Sequence, residues 1–380
     1  MKKILIVMGT FFPGKKCGGP PVSIDNFCTL MKEYDCYIVT HDHDLFENKR
    51  FDNIHEGWND RINCKVLYLS NIEYNKKSFG KIIEEINPDI LYLQGLFQSC
   101  VFPCLQLAKK YGIPVFLAPR GELCAGALCI KKWKKIPYIK IIRILGLVKG
   151  IYWQSTSDEE SLAIKKLMKV KEENIFRLDN VPSIPKKNYS RREKKIGEGR
   201  FVFLSRIHPK KNLLFAISLF KHVKGIAEFD IYGSIEDENY WNQCQEKIKN
   251  LPKNVKVEYK GLAEHNQVHE IFSLNDALLF PTLSENYGHV IAESLAVGLP
   301  VIISDQTPWN DVNQYGAGVA LSLKEKNMFI NYIEKIINMD DDYYTKIRAS
   351  AKKYFVEKCK ISSIHSKYLN ILQNILKSSF

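Results

Sequence analysis

The feature that most constrains this chain is a rhythm. Short β-branched or aromatic runs, Lys3 to Met8, Cys36 to Thr40, Lys65 to Leu69, Ile90 to Gln94, Val115 to Ala118 and Ile151 to Ser155, are separated by stretches long enough for crossover helices. Strands that are hydrophobic throughout need cover on both faces, and helical crossovers supply it, so the pattern predicts a parallel sheet. The rhythm pauses at Asn180-Val181-Pro182-Ser183-Ile184-Pro185-Lys186-Lys187 and the charged run Ser190 to Lys195, which lack apolar periodicity. It restarts at Arg200 to Leu204 and continues through Glu228 to Tyr232, Val255 to Tyr259, Ala277 to Phe280 and Val301 to Ser304; from about Asn327 the chain reads helical. With 380 residues and about 100 to 200 per domain there is room for two such units. The expected class is α/β, two tandem doubly wound parallel-sheet domains. Their boundaries are read as 1–185, a linker 186–198, 199–360, and a C-terminal helix 361–380 that is free to return to the first domain.

Composition excludes several alternatives. Hydrophobic residues at 45% and charged residues at 26% are ordinary globular values. No apolar run reaches the roughly 18 to 20 residues of a membrane span. Met1 to Met8 has a basic start, but Gly9-Thr10-Phe11-Phe12-Pro13 follows without a small-residue cleavage site, so a first strand fits better than a signal peptide. The ten cysteines, Cys17 among them, form no CxxC pair and read as reduced thiols. His41-Asp42-His43-Asp44 is the one metal-like cluster, and it reads more readily as a polar loop.

The net charge of +13 is concentrated in the first half, which carries +9 over residues 1–190. Between Glu122 and Asp158 there is no acid, while Lys131, Lys132, Lys134, Lys135, Lys140, Arg143 and Lys149 alternate with Trp133, Ile136, Tyr138 and further isoleucines. Two readings stand side by side: a basic amphipathic segment suited to an anionic membrane surface, and a core helix with a solvated basic face. No nucleic-acid-binding motif accompanies the charge, so nucleic acid is not expected as a partner.

In open parallel sheets ligands bind beyond the carboxyl ends of the strands. Four loops there are informative. After the first strand, Pro13-Gly14-Lys15-Lys16-Cys17-Gly18-Gly19-Pro20-Pro21 offers a glycine pair that lets N–H groups approach an anion, although a plain flexible turn explains it as well. After Phe201 to Leu204, Arg206 offers a planar fork and Lys211 a compact charge, a pairing that suits a diphosphate. Gly233 follows Tyr232 and permits close backbone approach. The most specific stretch is Phe280 to Ile302, in which Glu285 lies in a loop and Glu293 eight positions later, on a helix expected from near Gly288 to Gly298-Leu299-Pro300. Two carboxylates beside a helix N-terminus suggest a site; an acid that suits the helix dipole plus an ordinary helical glutamate is the plainer account.

These residues resemble the signature of the retaining GT-B glycosyltransferases of family 4: the loop Ser284 to Gly288, the spacing of Glu285 and Glu293, and the ending Ala296-Val297-Gly298-Leu299-Pro300-Val301-Ile302. Arg206 and Lys211 resemble the family's diphosphate-gripping pair, and Gly18-Gly19, Gly233 and Gly261 fall at its glycines. The likeness spans about residues 3 to 322. Many members carry a histidine in the loop after the strand Val115 to Ala118, whereas this chain has Pro119-Arg120-Gly121-Glu122-Leu123, similar to a bacterial surface-polysaccharide subset.

The resemblance implies two Rossmann-like domains facing a cleft, and transfer of a hexose-type sugar from a UDP- or GDP-sugar to a glycan or polyprenyl-linked saccharide with retention of configuration. It implies catalytic parts for Arg206, Lys211 and Glu285. Donor binding falls to Glu293, Asn286, Tyr287, Gly288, Gly233, Gly18 and Gly19, and Arg120 lies on the acceptor side. No metal or other cofactor is implied. The expected location is cytoplasmic, with peripheral attachment to the inner membrane face as an option. A nucleotide-sugar epimerase on the same scaffold and a non-enzymatic two-lobed binding protein are the rival functions.

Overall fold

The computed structural model describes residues 1–16 and 18–377, so Cys17 and its part in the glycine-bearing loop lie outside the described residues. The chain divides into two compact units: Met1–Val181 together with the chain from Ile361 on, and Pro182–Lys360.

The first unit holds β1 (Lys2–Val7), β2 (Tyr34–His41), β3 (Trp58–Arg61), β4 (Cys64–Leu69), β5 (Ile90–Gln94), β6 (Val115–Ala118), β7 (Tyr152–Ser155) and β8 (Ile175–Arg177). They form one sheet in the order β3-β4-β2-β1-β5-β6-β7-β8. Every pairing is parallel except that of β3 with β4. Successive residues of β1 go to opposite faces. Leu5 and Val7 join a cluster with Leu91, Leu93 and Trp153, while Ile4 and Ile6 join another with Phe27, Tyr92 and Phe116. Both faces of the sheet are therefore core, which is why β1 can be apolar at every position from Ile4 to Val7.

The helix Ile361–Lys377 belongs to this unit because Ile364, Tyr368, Leu372 and Ile375, spaced as one helical face, are buried in the second of those clusters. Phe27 holds the Tyr92 and Tyr368 rings edge-on, with centroids 5.3 and 5.4 Å away.

The second unit holds β9 (Glu198–Leu204), β10 (Ile226–Tyr232), β11 (Val255–Tyr259), β12 (Ala277–Phe280), β13 (Val301–Ser304) and β14 (Gly318–Leu321), all parallel in the order β11-β10-β9-β12-β13-β14. The charged run before β9 packs onto this unit. Arg191 grips Asp341 through both terminal nitrogens at 2.5 and 2.7 Å. Lys194 is buried and donates to the carbonyls of Lys195, Glu198 and Ile337. Buried carbonyls need donors, and the ammonium supplies three.

Three strands escaped the sequence reading. β3 is a polar antiparallel edge, Trp-Asn-Asp-Arg, with one buried position; β8 has three residues; β14 has four and is bounded by glycine. None offers enough apolar length to register as a strand before its neighbour is in place.

Candidate active site

In each sheet the strand order reverses at one point, between β1 and β5 in the first unit and between β9 and β12 in the second. Loops leaving the two strands at such a point diverge and leave a crevice for ligand. Both switch points carry candidate residues.

In the second unit the loops after β9 and β12 are sewn together. The Leu283 N–H donates to the Lys210 carbonyl at 2.9 Å, and the Thr282 hydroxyl donates to the same oxygen at 3.1 Å. Asn212 Nδ2 reaches the Pro281 carbonyl at 2.9 Å. His208 caps the short turn Pro209–Lys211 by accepting from the Lys210 N–H. Those contacts place Lys211 against Glu285, and the two form an ion pair with side chains only 12% and 13% exposed. Burial lowers the Lys211 pKa while Glu285 works against the shift. A cation that has lost most of its water and rests on one carboxylate is ready to meet a second anion at little further desolvation cost.

Arg206 leaves the end of β9 and donates from one nitrogen to both Glu236 oxygens, at 2.8 and 3.0 Å. This pair is more open, 43% and 24% exposed, and salt and water screen it accordingly. Gly233 has φ of 146° and no room for a side chain: a Cβ would fall 1.8 Å from the Ser205 carbonyl oxygen. The close approach that glycine permits here is to the chain's own backbone, and it keeps the β9 loop in place.

Glu285 and Glu293 differ sharply in setting. Gly288, with φ of 78°, precedes the helix His289–Ala296 and lacks any side-chain cap. Trp309 Nε1 fixes the Tyr287 carbonyl at 2.6 Å, while Asn286 stands exposed. Glu293 points from the middle of that helix and is 5% exposed. Burial alone pushes its carboxyl up to about 8. Among the described residues it has no hydrogen-bond partner and no counter-cation. A buried acid without partners is uncommon, and such a group marks a candidate ligand site.

In the first unit the loop after β1 is held by a carboxylate. Asp44 accepts from the Lys15 N–H at 2.6 Å and from the Lys16 N–H at 3.2 Å, so those donors are occupied. Gly18 needs its φ of 68°, and Gly19 opens the helix Gly19–Leu30. Pro20 and Pro21 remove two N–H groups from the first turn, leaving fewer donors there than a helix N-terminus normally offers. His41 stacks on Tyr74 with ring centroids 3.8 Å apart, and burial pulls its pKa down to about 4. The His41 to Asp44 stretch thus serves as packing and as the pin for this loop.

The family profile of glycosyl transferases group 1 matches residues 186–354. The second unit is a group 1 glycosyl transferase domain. Over the longer span, the chain is 21% identical to an uncharacterized 41.2 kDa protein in the cps region of Klebsiella pneumoniae, across 81% of this chain and 82% of that one. The fold is that of GT-B glycosyltransferases. It matches sucrose-phosphate synthase from Thermosynechococcus elongatus with a TM-score of 0.73 at 12% identity, covering 100% of both chains. It also matches Anabaena HepE in complex with UDP and glucose, with a TM-score of 0.69 at 14% identity, covering 98% of this chain and 100% of that one.

Within the glycosyl transferase domain the structure brings Lys211 and Glu285 into contact and sets Arg206 at the end of β9. Sequence reasoning assigned no role to Glu236, Asn212 or Thr282, and in the first unit it read Asp44 only as part of the polar His41 to Asp44 loop. The signal for Glu236 was available, since it lies three positions after Gly233 in the loop leaving β10, but nothing in its local sequence marks its partner.

Proposed function

We propose that the chain is a retaining glycosyltransferase that moves a hexose-type sugar from a nucleotide-diphosphate sugar to a glycan or lipid-linked saccharide in cell-surface polysaccharide synthesis. The observation that carries this reading is the Lys211–Glu285 pair at the switch point of the glycosyl transferase domain. Departure of a nucleoside diphosphate places negative charge beside an oxocarbenium-like centre, and fixed cations there stabilise the transition state more than the ground state. Arg206 and Lys211 meet that need. When the diphosphate arrives, Glu285 exchanges its ammonium partner for donor sugar hydroxyls, and Glu293 accepts from the ribose hydroxyls. The departing phosphate takes the acceptor's proton on the same face of the sugar, which preserves the configuration and requires no protein base. The scheme assigns charge neutralisation to Arg206 and Lys211 and calls for no metal ion. The complex of HepE with UDP and glucose supports a UDP-sugar among the candidate donors, and the cps-region relative supports a surface-polysaccharide acceptor.

Thermal unfolding in the presence of UDP- and GDP-sugars tests the donor. One of them at about 100 times its dissociation constant is expected to add roughly 2.7 kcal/mol of stability. If no nucleotide sugar stabilises the protein, the reading fails. Turnover of the donor to its epimer without any acceptor would replace it with the epimerase reading.

The same reading extends to a cytoplasmic enzyme resting on the inner membrane face. No helix among the described residues is long and apolar enough to cross a membrane. Support for surface attachment comes from the helix Lys132–Ile144, which carries two apolar stripes. Ile139 and Ile142 face the core, whereas Trp133, Ile141 and Ile144 are 73%, 50% and 84% exposed, with Pro137 between them on the same face. Lys131, Lys132, Lys134 and Lys140 are exposed around this outer stripe. Lys135 is not among them: it donates to the Ala127 carbonyl and lies over the Phe97 ring. Four exposed lysines near an anionic surface contribute on the order of 4 kcal/mol, reduced by salt over about one Debye length. Cosedimentation with anionic vesicles is therefore expected at low salt. It should weaken in high salt and disappear when Lys131, Lys132, Lys134 and Lys140 become glutamine. A wild-type protein that ignores anionic vesicles at low salt would point to a soluble acceptor instead.

A further inference from the structure

Arg120 sits two residues beyond β6 with φ of 56°, a left-handed conformation uncommon for residues that carry a side chain. Two carboxylates anchor the loop on either side of it. Glu160 accepts from the Gly121 N–H at 2.6 Å and from the Thr156 N–H and hydroxyl at 2.8 Å each. Glu122 accepts from the Leu96 and Phe97 N–H groups at 2.5 and 3.1 Å, tying this loop to the one that follows β5. The scaffold around Arg120 is thus rigid, and it lies at the carboxyl edge of the sheet.

The guanidinium itself meets only neutral partners. Its Nε donates to Gln94 Oε1 at 2.8 Å and one terminal nitrogen donates to Asn180 Oδ1 at 2.6 Å. Arg61, Arg177, Arg191, Arg192, Arg200 and Arg206 all meet carboxylates. Arg348, buried without one, is satisfied by the Val297 carbonyl and the Tyr344 hydroxyl, and half-buried Arg143, also without one, donates to the Leu167 carbonyl. Arg120 is half-buried and has no carboxylate within ion-pair distance among the described residues. Because both amide oxygens already accept from Arg120, the unused groups at this spot are donors: the second terminal nitrogen of Arg120, Nδ2 of Asn180 and the buried Nε2 of Gln94. A fixed, partly desolvated cation ringed by donors calls for an anion that can accept in parallel.

We propose that Arg120, steadied by Gln94 and Asn180, forms a subsite for an oxyanion carried by the acceptor, either the phosphate of a lipid-linked saccharide or the carboxylate of an acidic sugar. The word acceptor rests on the glycosyltransferase reading; the anion site does not.

The test uses the full chain carrying Arg206→Ala and Lys211→Ala, so that the cations of the second unit do not contribute. Calorimetric titration with inorganic phosphate, inorganic pyrophosphate and glucuronate is expected to detect binding. Adding Arg120→Gln should weaken it at least tenfold. Arg120→Gly, which glycine's freedom at positive φ allows, should produce the same loss without lowering the melting temperature, separating lost binding from lost folding. Preference for phosphate or pyrophosphate assigns the subsite to a lipid-linked phosphate, and preference for glucuronate assigns it to an acidic sugar. Absence of anion binding, or binding that survives both Arg120 substitutions, overturns the proposal. No nucleotide enters these titrations, so failure of the donor screen and failure of the Arg120 subsite are read separately.

Discussion

Lys211→Ala is expected to lower the rate of sugar transfer by about two to three orders of magnitude, the usual cost of removing a stabiliser that acts on charge developing in the transition state. Arg206→Ala should fall in the same range, yet the two variants should differ in stability. Arg206 forms a solvent-open pair with Glu236, and an exposed pair contributes about 0 to 1 kcal/mol, so its loss should hardly change the melting temperature. Lys211 is nearly buried on Glu285, and removing it strands a carboxylate in a poorly solvated place. Lys211→Ala should therefore unfold earlier, and combining it with Glu285→Gln should restore much of the lost stability without restoring turnover. Steady-state kinetics and thermal unfolding of the four proteins make the measurement. Unchanged turnover in both single variants would remove Arg206 and Lys211 from the catalytic assignment.

Glu293→Gln should have the opposite sign for stability. The Glu293 carboxyl is held at about 8 in the folded chain against 4.5 in its absence. A raised carboxyl pKa gives stability that is complete below about pH 4.5 and lost as pH climbs through the folded value. At pH 7 the wild type has crossed two and a half of those pH units, each equivalent to about 1.4 kcal/mol, so the penalty is on the order of 3 kcal/mol. The amide that replaces the carboxyl does not titrate. The variant should gain stability at pH 7 to 8, lose the decline between pH 4.5 and 8, and converge on the wild type below pH 4.5. Function should suffer, because a carboxylate accepts two ribose hydroxyl bonds and an amide oxygen is a weaker acceptor. Nucleoside diphosphate affinity should rise with pH between about 7 and 9 in the wild type and stay flat in Glu293→Gln. Glu285→Gln should weaken binding of the donor sugar while leaving the free nucleotide unaffected. Unfolding curves across pH and calorimetric titrations decide the matter, and a Glu293→Gln variant less stable than wild type at pH 8 would contradict the unpartnered burial of this acid.

Much of this molecule could be read from one dimension. β5, β6, β12 and β13 have the bounds expected from their apolar runs, because a strand buried on both faces must be apolar at nearly every position and is therefore self-announcing. The locations of the site loops follow from the same logic, since parallel strands deliver their loops to one edge and the residues just after each strand are the ones that can meet a ligand. The glycosyltransferase signature from Ser284 to Ile302 and the Arg206 to Lys211 spacing are local, and local patterns survive without coordinates.

What the tertiary structure alone decided concerns charge and contact. Lys211 and Glu285 are 74 positions apart and become an ion pair only because Leu283, Thr282 and Asn212 knit two loops together. Glu293 has the same formula as Glu285, yet it is protonated near neutral pH because folding removed its water and provided no cation. Lys135 looks like its neighbours in the basic run but turns inward to Ala127 and Phe97, while Trp133 and Ile144 stay in solvent. Gly233, legible as a position of close approach, proved to be approached by Ser205. Strand formation is governed by periodicity along the chain and is written there. The state of a charge is governed by desolvation and by whatever partner arrives from elsewhere, and only the folded chain brings those together.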